Sequence, residues 1–355
     1  MFGLLSLMGL VAAGIMADAV IGVAEDQPET DDPAPTDDPA PTDDEPPVAF
    51  ENTANVALAE AATIPDHQLP MQQDGPFSVL YTLTDDEGMP QSDDVPRTPD
   101  SRFDQDGTAS DDVLNGAGAN DDLRGLDGRD MLSGGGGGDR LFGGAGADVL
   151  DGGDGDDSLR GGADDDWLRG GSGNDLLWGN AGNDTVDGWG DDDTIAGGFG
   201  ADSLNGGEGA DLLRGGDDND TLGGGSGHDS LYGGAGDDEI DGGDGDDLLV
   251  AGGGTDVLNG GAGNDVLWGA AGSMLSGGSG ADDFMIGDGG PSVVTDFDGS
   301  VDRLVVVYDA TLHPSPLITV DDMGSDALIR LDGVQIASIS GGAGLNAADV
   351  VLQSA

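Results

Sequence analysis

The chain of 355 residues contains no cysteine and no lysine. Without cysteine there are no disulfides, no thiolate metal sites and no cysteine nucleophile. All ten cations are therefore arginine, set against 72 acidic residues, and the formal net charge is −62. A surface this acidic repels phosphate, which excludes nucleic acid and anionic lipid as default partners, and it attracts cations. The three histidines, His67, His228 and His313, lie far apart, and none sits in an HExxH helix. No G-x-S-x-G occurs, so the usual hydrolase nucleophile turn is missing. The expectation from these absences is a protein that is not an enzyme.

What is abundant is glycine, with 69 residues, and aspartate, and the two are ordered. From Gly107 to Trp268 the pattern G-G-x-G-x-D-x-U-x, with U aliphatic, repeats eighteen times in 162 residues without a slip. One copy reads Gly143-Gly144-Ala145-Gly146-Ala147-Asp148-Val149-Leu150-Asp151. Position six is Asp112, Asp121, Asp130, Asp139, Asp148, Asp157, Asp166, Asp175 and Asp184, then Asp193, Asp202, Asp211, Asp220, Asp229, Asp238, Asp247, Asp256 and Asp265. Position eight is Val186, Ile195, Ile240 and otherwise Leu. Gly269 to Ser276 is one residue short and lacks its Asp, after which Gly277 to Met285 restores the motif with Asp282 and Phe284. Polar, glycine-rich sequence is ordinarily disordered. Periodicity this strict points instead to a solenoid.

The pattern predicts a three-residue strand, x-U-x, that sends its aliphatic middle residue inward and its neighbours outward. The six residues G-G-x-G-x-D then form the turn. Glycine at positions one, two and four permits positive φ and close backbone approach. Two nonads make one coil with a strand on each side, and eighteen nonads make nine coils. One buried aliphatic side chain per nine residues falls short of the cost of ordering nine backbones, more so with glycine. A hard divalent cation supplies the difference. Ca2+ takes six to eight oxygens in flexible geometry, whereas Mg2+ demands a rigid octahedron and holds its water. The absence of a His or Cys cluster argues against zinc. The nineteen position-six aspartates named above, Asp282 included, are the candidate metal ligands, and binding energy becomes folding energy.

The nonads from Gly107 to Met285 resemble the RTX family of hemolysin-type calcium-binding repeats, in the manner of the serralysin C-terminal region. The resemblance implies a parallel β-roll with several Ca2+ ions between the turns of nonads i and i+2. On that pairing Asp148 works with Asp166, and Asp157 with Asp175. It also implies type I secretion by an uncleaved C-terminal signal, with folding outside the cell. Asp282-Asp283-Phe284, Val293-Val294-Thr295-Asp296-Phe297 and Asp302-Arg303-Leu304 are similar to the segment that follows such arrays. The tail Ala348-Asp349-Val350-Val351-Leu352 is similar to their acidic and aliphatic ends.

Some copies depart from the pattern. Position four is Asp at Asp164, Asp191 and Asp218, which read as solvated turns. Position two is bulky at Leu126 and Trp189, and position one is Ala251, so those sites are expected to be distorted. The first two nonads lack glycine at Thr108, Ser110, Ala117 and Ala119, and their sites are expected to be empty. Trp167, Trp178 and Trp268 point outward, as scattered surface aromatics or as a sugar-binding or partner-binding face. The arginines at position nine (Arg124, Arg160, Arg169, Arg214) read as charge relief beside the acids.

The expected fold is all-β: a calcium-loaded parallel β-roll over 107–285, a small C-terminal β cap over 286–355 and a disordered acidic, proline-rich N-terminal region. Short strands are expected at Ser292 to Phe297, Leu304 to Tyr308, Leu317 to Val320, Ala327 to Leu331 and Val334 to Ile339. Residues 48–106 read as a weakly structured region or N-terminal cap, and 25–47 as an extended linker in which D-D-P-A-P-T recurs. The apolar residues 1–24 read as a secretory signal, a membrane anchor or a segment packed on the body of the protein. The expected function is a secreted, extracellular calcium-binding roll with a structural or surface role. The alternatives are a calcium-dependent carbohydrate-binding or partner-binding module, or tethering to a membrane through residues 1–24.

Overall fold

The computed structural model describes residues 102–355. The apolar segment 1–24, the linker 25–47 and most of the region 48–106 lie outside the described residues. So does the expected N-terminal disorder. Within 102–355 the chain is all-β, and no helix is long and apolar enough to cross a membrane.

Through the array, successive strands alternate between a 13-stranded and a 14-stranded sheet, so each strand there pairs with the one two elements away. Pairing along the repeat is parallel and in register at 18 residues, as in Leu150↔Leu168 and Leu159↔Leu177. The result is the parallel β-solenoid that the period implies. Its core is one aliphatic side chain per nonad: Leu123 through Leu267 at position eight are all 1% exposed or less. A strand alternates its side chains between faces, so positions seven and nine lie outward on either side of this buried row.

The strands are longer than expected. They cover six residues, as in Val149–Asp154 and Ser158–Ala163, and so run through both glycines and position three of the next nonad. Glycine disfavours strands on its own. Here glycines of neighbouring coils stack on one another, as Gly144↔Gly162 does, and the ladder continues through them and through Leu126, Asn180 and Trp189 at the same position of the repeat.

Positive φ is also divided differently. Positions two and four adopt it, as in Gly144 (φ 125°) and Gly146 (φ 116°), whereas no glycine at position one does. Position one needs glycine for space. A Cβ on Gly143 would lie 2.7 Å from the carbonyl oxygen of Gly161 and closer still to Asp148 Oδ2. The bulky exceptions keep the backbone of the pattern. Leu126 (φ 86°), Asn180 (φ 78°) and Trp189 (φ 88°) at position two are left-handed, as are Asp164, Asp191 and Asp218 at position four.

The expected C-terminal strands are present, at Ser292–Val294, Arg303–Tyr308, Ile318–Asp322, Asp326–Leu331 and Val334–Ser340. The first two continue the parallel ladders. The last three form an antiparallel meander, with Val334–Ser340 laid parallel on Ser292–Val294. The tail forms one strand more, Val350–Ser354, which pairs with Arg303–Tyr308 at the end of the 13-stranded sheet.

Candidate metal centre

Each turn hangs on its position-six aspartate. The carboxylate lies inside the roll, 0–3% exposed from Asp121 to Asp282. Its Oδ1 accepts the backbone N–H of the aspartate 18 residues earlier: Asp148 N–H donates to Asp166 Oδ1 at 2.8 Å, and Asp157 N–H to Asp175 Oδ1 at 2.7 Å. This relation runs as far as Asp238 N–H and Asp256 Oδ1, and at its start Phe103 N–H donates to Asp121 Oδ1, whereas Asp265 Oδ1 has no donor. The pairs therefore meet as amide and carboxylate. Among the described residues no three His, Cys, Asp or Glu side chains gather at one point.

The second oxygen is the informative one. In fifteen turns, those of Asp130 through Asp247 and of Asp265, Oδ2 is buried and receives no hydrogen bond from the protein. A buried, ionised oxygen without a partner is costly, so this row calls for a cation or a proton. Burial, the leading cause, and then neighbouring carboxylates push Asp157, Asp166 and Asp193 up to about 8, while the amide accepted at Oδ1 opposes the shift. Asp148, Asp175, Asp202 and Asp220 rise to about 7 for the same leading reason. Asp247, beside Asp229, is also raised.

Backbone oxygens of the turns also lack partners. A Cβ on Gly155 would collide with the carbonyl oxygen of Gly137, and one on Gly182 with that of Asp164. Position-four carbonyls thus point along the stack at the next turn. Among the described residues those of Gly128, Gly137, Gly146 and Gly155 accept no backbone hydrogen bond. One carboxylate oxygen per turn with free carbonyls above and below is a donor set made of hard oxygen alone. It fits Ca2+ and lacks the nitrogen or sulfur that zinc prefers.

Not every predicted site residue has this environment. Asp112 Oδ2 accepts Thr108 N–H at 2.6 Å and the Thr108 hydroxyl at 2.9 Å, and Asp121 Oδ2 accepts Ala117 N–H at 2.9 Å. Asp256 Oδ2 accepts the hydroxyl of Ser273 at 3.0 Å. Ser273, fully buried, stands where the short repeat lacks its aspartate. Asp164, Asp191 and Asp218 at position four are exposed.

Several residues had no signal in the repeat consensus. Asp302 Oδ1 accepts Asp282 N–H at 3.1 Å, 20 residues back, and so continues the aspartate series past the array. Its signal was the run Asp302-Arg303-Leu304, a repeat of D-x-U. Asp296 accepts the N–H groups of Gly277 and Gly278. At position five, side chains clamp the stack in the forward direction. Asp156 Oδ1 accepts Asn174 N–H at 3.0 Å, Asp165 Oδ1 accepts Asn183 N–H at 2.8 Å, and Asp192 Oδ1 accepts Ala210 N–H at 2.8 Å.

The family model for the RTX calcium-binding nonapeptide repeat matches in overlapping segments that together run from 106 to 273. No curated protein matches the chain. Among solved structures, the crystal structure of the extracellular lipase LipA from Serratia marcescens is similar at 18% identity and a TM-score of 0.21. That match takes in 59% of this chain and 40% of the lipase chain, so this chain spans less than half of the lipase's length. At that identity and TM-score nothing about activity passes from one to the other. RTX repeats bind several calcium ions through aspartate-rich turns, which is the chemistry that a row of buried, unpartnered carboxylate oxygens requires. The repeat array of this chain is a run of RTX calcium-binding nonapeptide repeats.

Proposed function

We propose that the chain is a secreted protein whose roll folds when calcium fills its turns, and that its role outside the cell is structural. In fifteen turns the position-six Oδ2 is the charged ligand, and carbonyl oxygens of that turn and of the turn 18 residues away complete the shell. The observation that carries this reading is the set of fifteen buried Oδ2 atoms without a donor. Asp112, Asp121 and Asp256, whose Oδ2 atoms are satisfied by the protein, hold no ion. Extracellular calcium modules work at roughly 10^-4 to 10^-3 M, so a roll in that range stays open inside a cell and closes outside it. Residues 286–355 close the C-terminal end of the roll, covering ladder edges that would otherwise recruit another chain.

Counting ions tests the ligand assignment. The full chain, equilibrated with millimolar calcium and analysed for bound metal, is expected to hold about one ion per unpartnered carboxylate, fifteen in all. Uptake of only a few ions, or equal uptake of magnesium, contradicts it.

A further inference from the structure

On the 14-stranded sheet the C-terminal cap leaves one edge of its own. The sheet ends at Ile318–Asp322, which pairs antiparallel with Asp326–Leu331 on one side and with no strand among the described residues on the other. The hydrogen bonds at its ends set the phase. Leu317 N–H donates to Asp332 Oδ1 at 2.8 Å, its carbonyl accepts Asp332 N–H at 2.9 Å, and Met323 N–H donates to the Asp326 carbonyl at 2.9 Å. Successive residues of an antiparallel strand bond to opposite sides, so Leu317, Thr319, Asp321 and Met323 bond inward. Ile318, Val320 and Asp322 therefore turn their N–H and C=O groups to the open side.

This edge is self-complementary. A twofold axis at Val320 lays a second copy's strand antiparallel on it, with Val320 against Val320. Ile318 then faces the second copy's Asp322, and each such pair exchanges two backbone hydrogen bonds, about six in all. Leu317 and Met323 stand at equal distance on either side of Val320, on the face of the sheet that Thr319 and Asp321 share. Both are apolar and open to solvent, 61% and 62% exposed. The same axis sets each against the other, at non-hydrogen-bonded positions where side chains come closest. The two acids of the strand meet no acid. Asp321 faces the second copy's Thr319 and is already paired with Arg330 Nε at 2.8 Å, while Asp322 Oδ1 accepts Gly324 N–H at 2.8 Å.

We propose that the chain dimerises through this edge, a second copy adding its Ile318–Asp322 strand across the twofold axis, with Leu317 of each copy on Met323 of the other. Unpaired strand edges recruit strands, and here the geometry selects the same strand. The seam of residues 317–323, at about 3.4 Å each, is roughly 24 Å long. That is the small end of specific interfaces, under about 1,200 Å2 in total, so the dimer is weak and depends on concentration. Repulsion between two chains of net charge −62 is screened beyond about 8 Å at physiological salt, and low salt opens the dimer. This contact lies beyond the structural role above and needs only that the cap be folded.

The test is sedimentation velocity of the full chain in millimolar calcium and physiological salt, from about 1 to 300 µM. A shift from monomer to dimer over that range is expected, with amide exchange over residues 317–323 slowing as the dimer forms. Val320→Pro removes an outward N–H and leaves the bonds to Asp326–Leu331 in place, so it is expected to weaken dimerisation about tenfold or more. Leu317→Glu with Met323→Glu sets acids against each other, and Leu317→Lys with Met323→Lys sets cations. Each double variant alone is expected to stay monomeric, and an equal mixture of the two to form a mixed dimer. Circular dichroism of each sample separates loss of the fold from loss of the contact. A chain that stays monomeric throughout, a folded Val320→Pro variant that dimerises undiminished, or a folded Glu–Lys mixture that stays monomeric overturns the proposal.

Discussion

The first two turns of the array and those that follow carry the same aspartate in different surroundings. In the first two, position two is Thr108 or Ala117, without positive φ, and its N–H donates to Oδ2 of Asp112 or Asp121. From the third turn of the array on, position two is left-handed, its N–H is not given to the carboxylate, and Oδ2 lies buried without a donor, save at Asp256, where the Ser273 hydroxyl donates. One backbone dihedral thus separates a turn that closes on itself from a turn that waits for a cation. The difference shows where glycine acts in this repeat. It makes the left-handed position two easy to reach, and with it the withheld hydrogen bond, a conformation that Leu126, Asn180 and Trp189 also adopt against their preference.

The sharpest way to break the comparison is to neutralise aspartates on both sides of it. Asp157→Asn with Asp175→Asn keeps an acceptor for the amide but removes two charged ligands. Calcium analysis is expected to show two fewer ions, and the folded state to lose upwards of about 4 kcal/mol, the scale of losing a metal site. Asp112→Asn with Asp121→Asn is expected to leave the ion count unchanged, with a smaller loss of about 1–3 kcal/mol from the amide N–H groups that an asparagine NH2 leaves without an acceptor.

Protons offer a second route into the same row of oxygens. Asp157, Asp166 and Asp193 are pushed up to about 8 in the roll, against an ordinary carboxylate value of 3.8. The folded state then binds more protons than the open chain between these values, so stability falls as pH rises through that window. The stabilisation is complete below about pH 4 and lost above about pH 8. In chelator, circular dichroism is expected to show β structure returning as the pH is lowered from 8 toward 5. A chelated chain that opens further on acidification contradicts the assignment of those carboxylates.

A smaller effect converts one kind of turn into the other. Ala117→Gly with Ala119→Gly gives the second nonad the glycines of the later ones, and Asp121 Oδ2 is expected to lose its amide donor and gain a calcium ion. Metal analysis that shows no added ion removes φ at position two as the cause. Smaller again is Leu126→Gly, which relieves a left-handed leucine at φ 86°. It is expected to stabilise the calcium-loaded roll by about 1 kcal/mol, read as a rise of about 2–4 °C in melting temperature.

The sequence carried the period, the inward row and the cation, because each depends on one residue type recurring at one position. Leu150, Leu159 and Leu168 needed only to be aliphatic every nine residues, and Asp148 only to be acidic two places before them. The strand length was not legible, because Gly143 and Gly144 read as turn formers until the glycines of neighbouring coils are stacked on them. Nor was the separation of the glycines, since Gly143 is needed for space and Gly144 for its dihedral, and both look alike in a sequence. Ser273 and Asp302 were hidden by their spacing, 17 and 20 residues from their partners Asp256 and Asp282 in place of 18. The forward clamps of Asp156, Asp165 and Asp192 fall at position five, which the consensus leaves open, and only the stacked backbone gives those side chains an amide to accept.

The most direct measurement of the central claim is far-ultraviolet circular dichroism of the full chain, titrated with Ca2+ and separately with Mg2+ at about pH 9, where protons no longer satisfy the buried carboxylates. A cooperative transition to β structure with calcium alone, complete by about 10^-3 M, is the predicted result. A chain that is already β in chelator at that pH, or one that folds equally with magnesium, contradicts the claim that calcium in these turns holds the roll together.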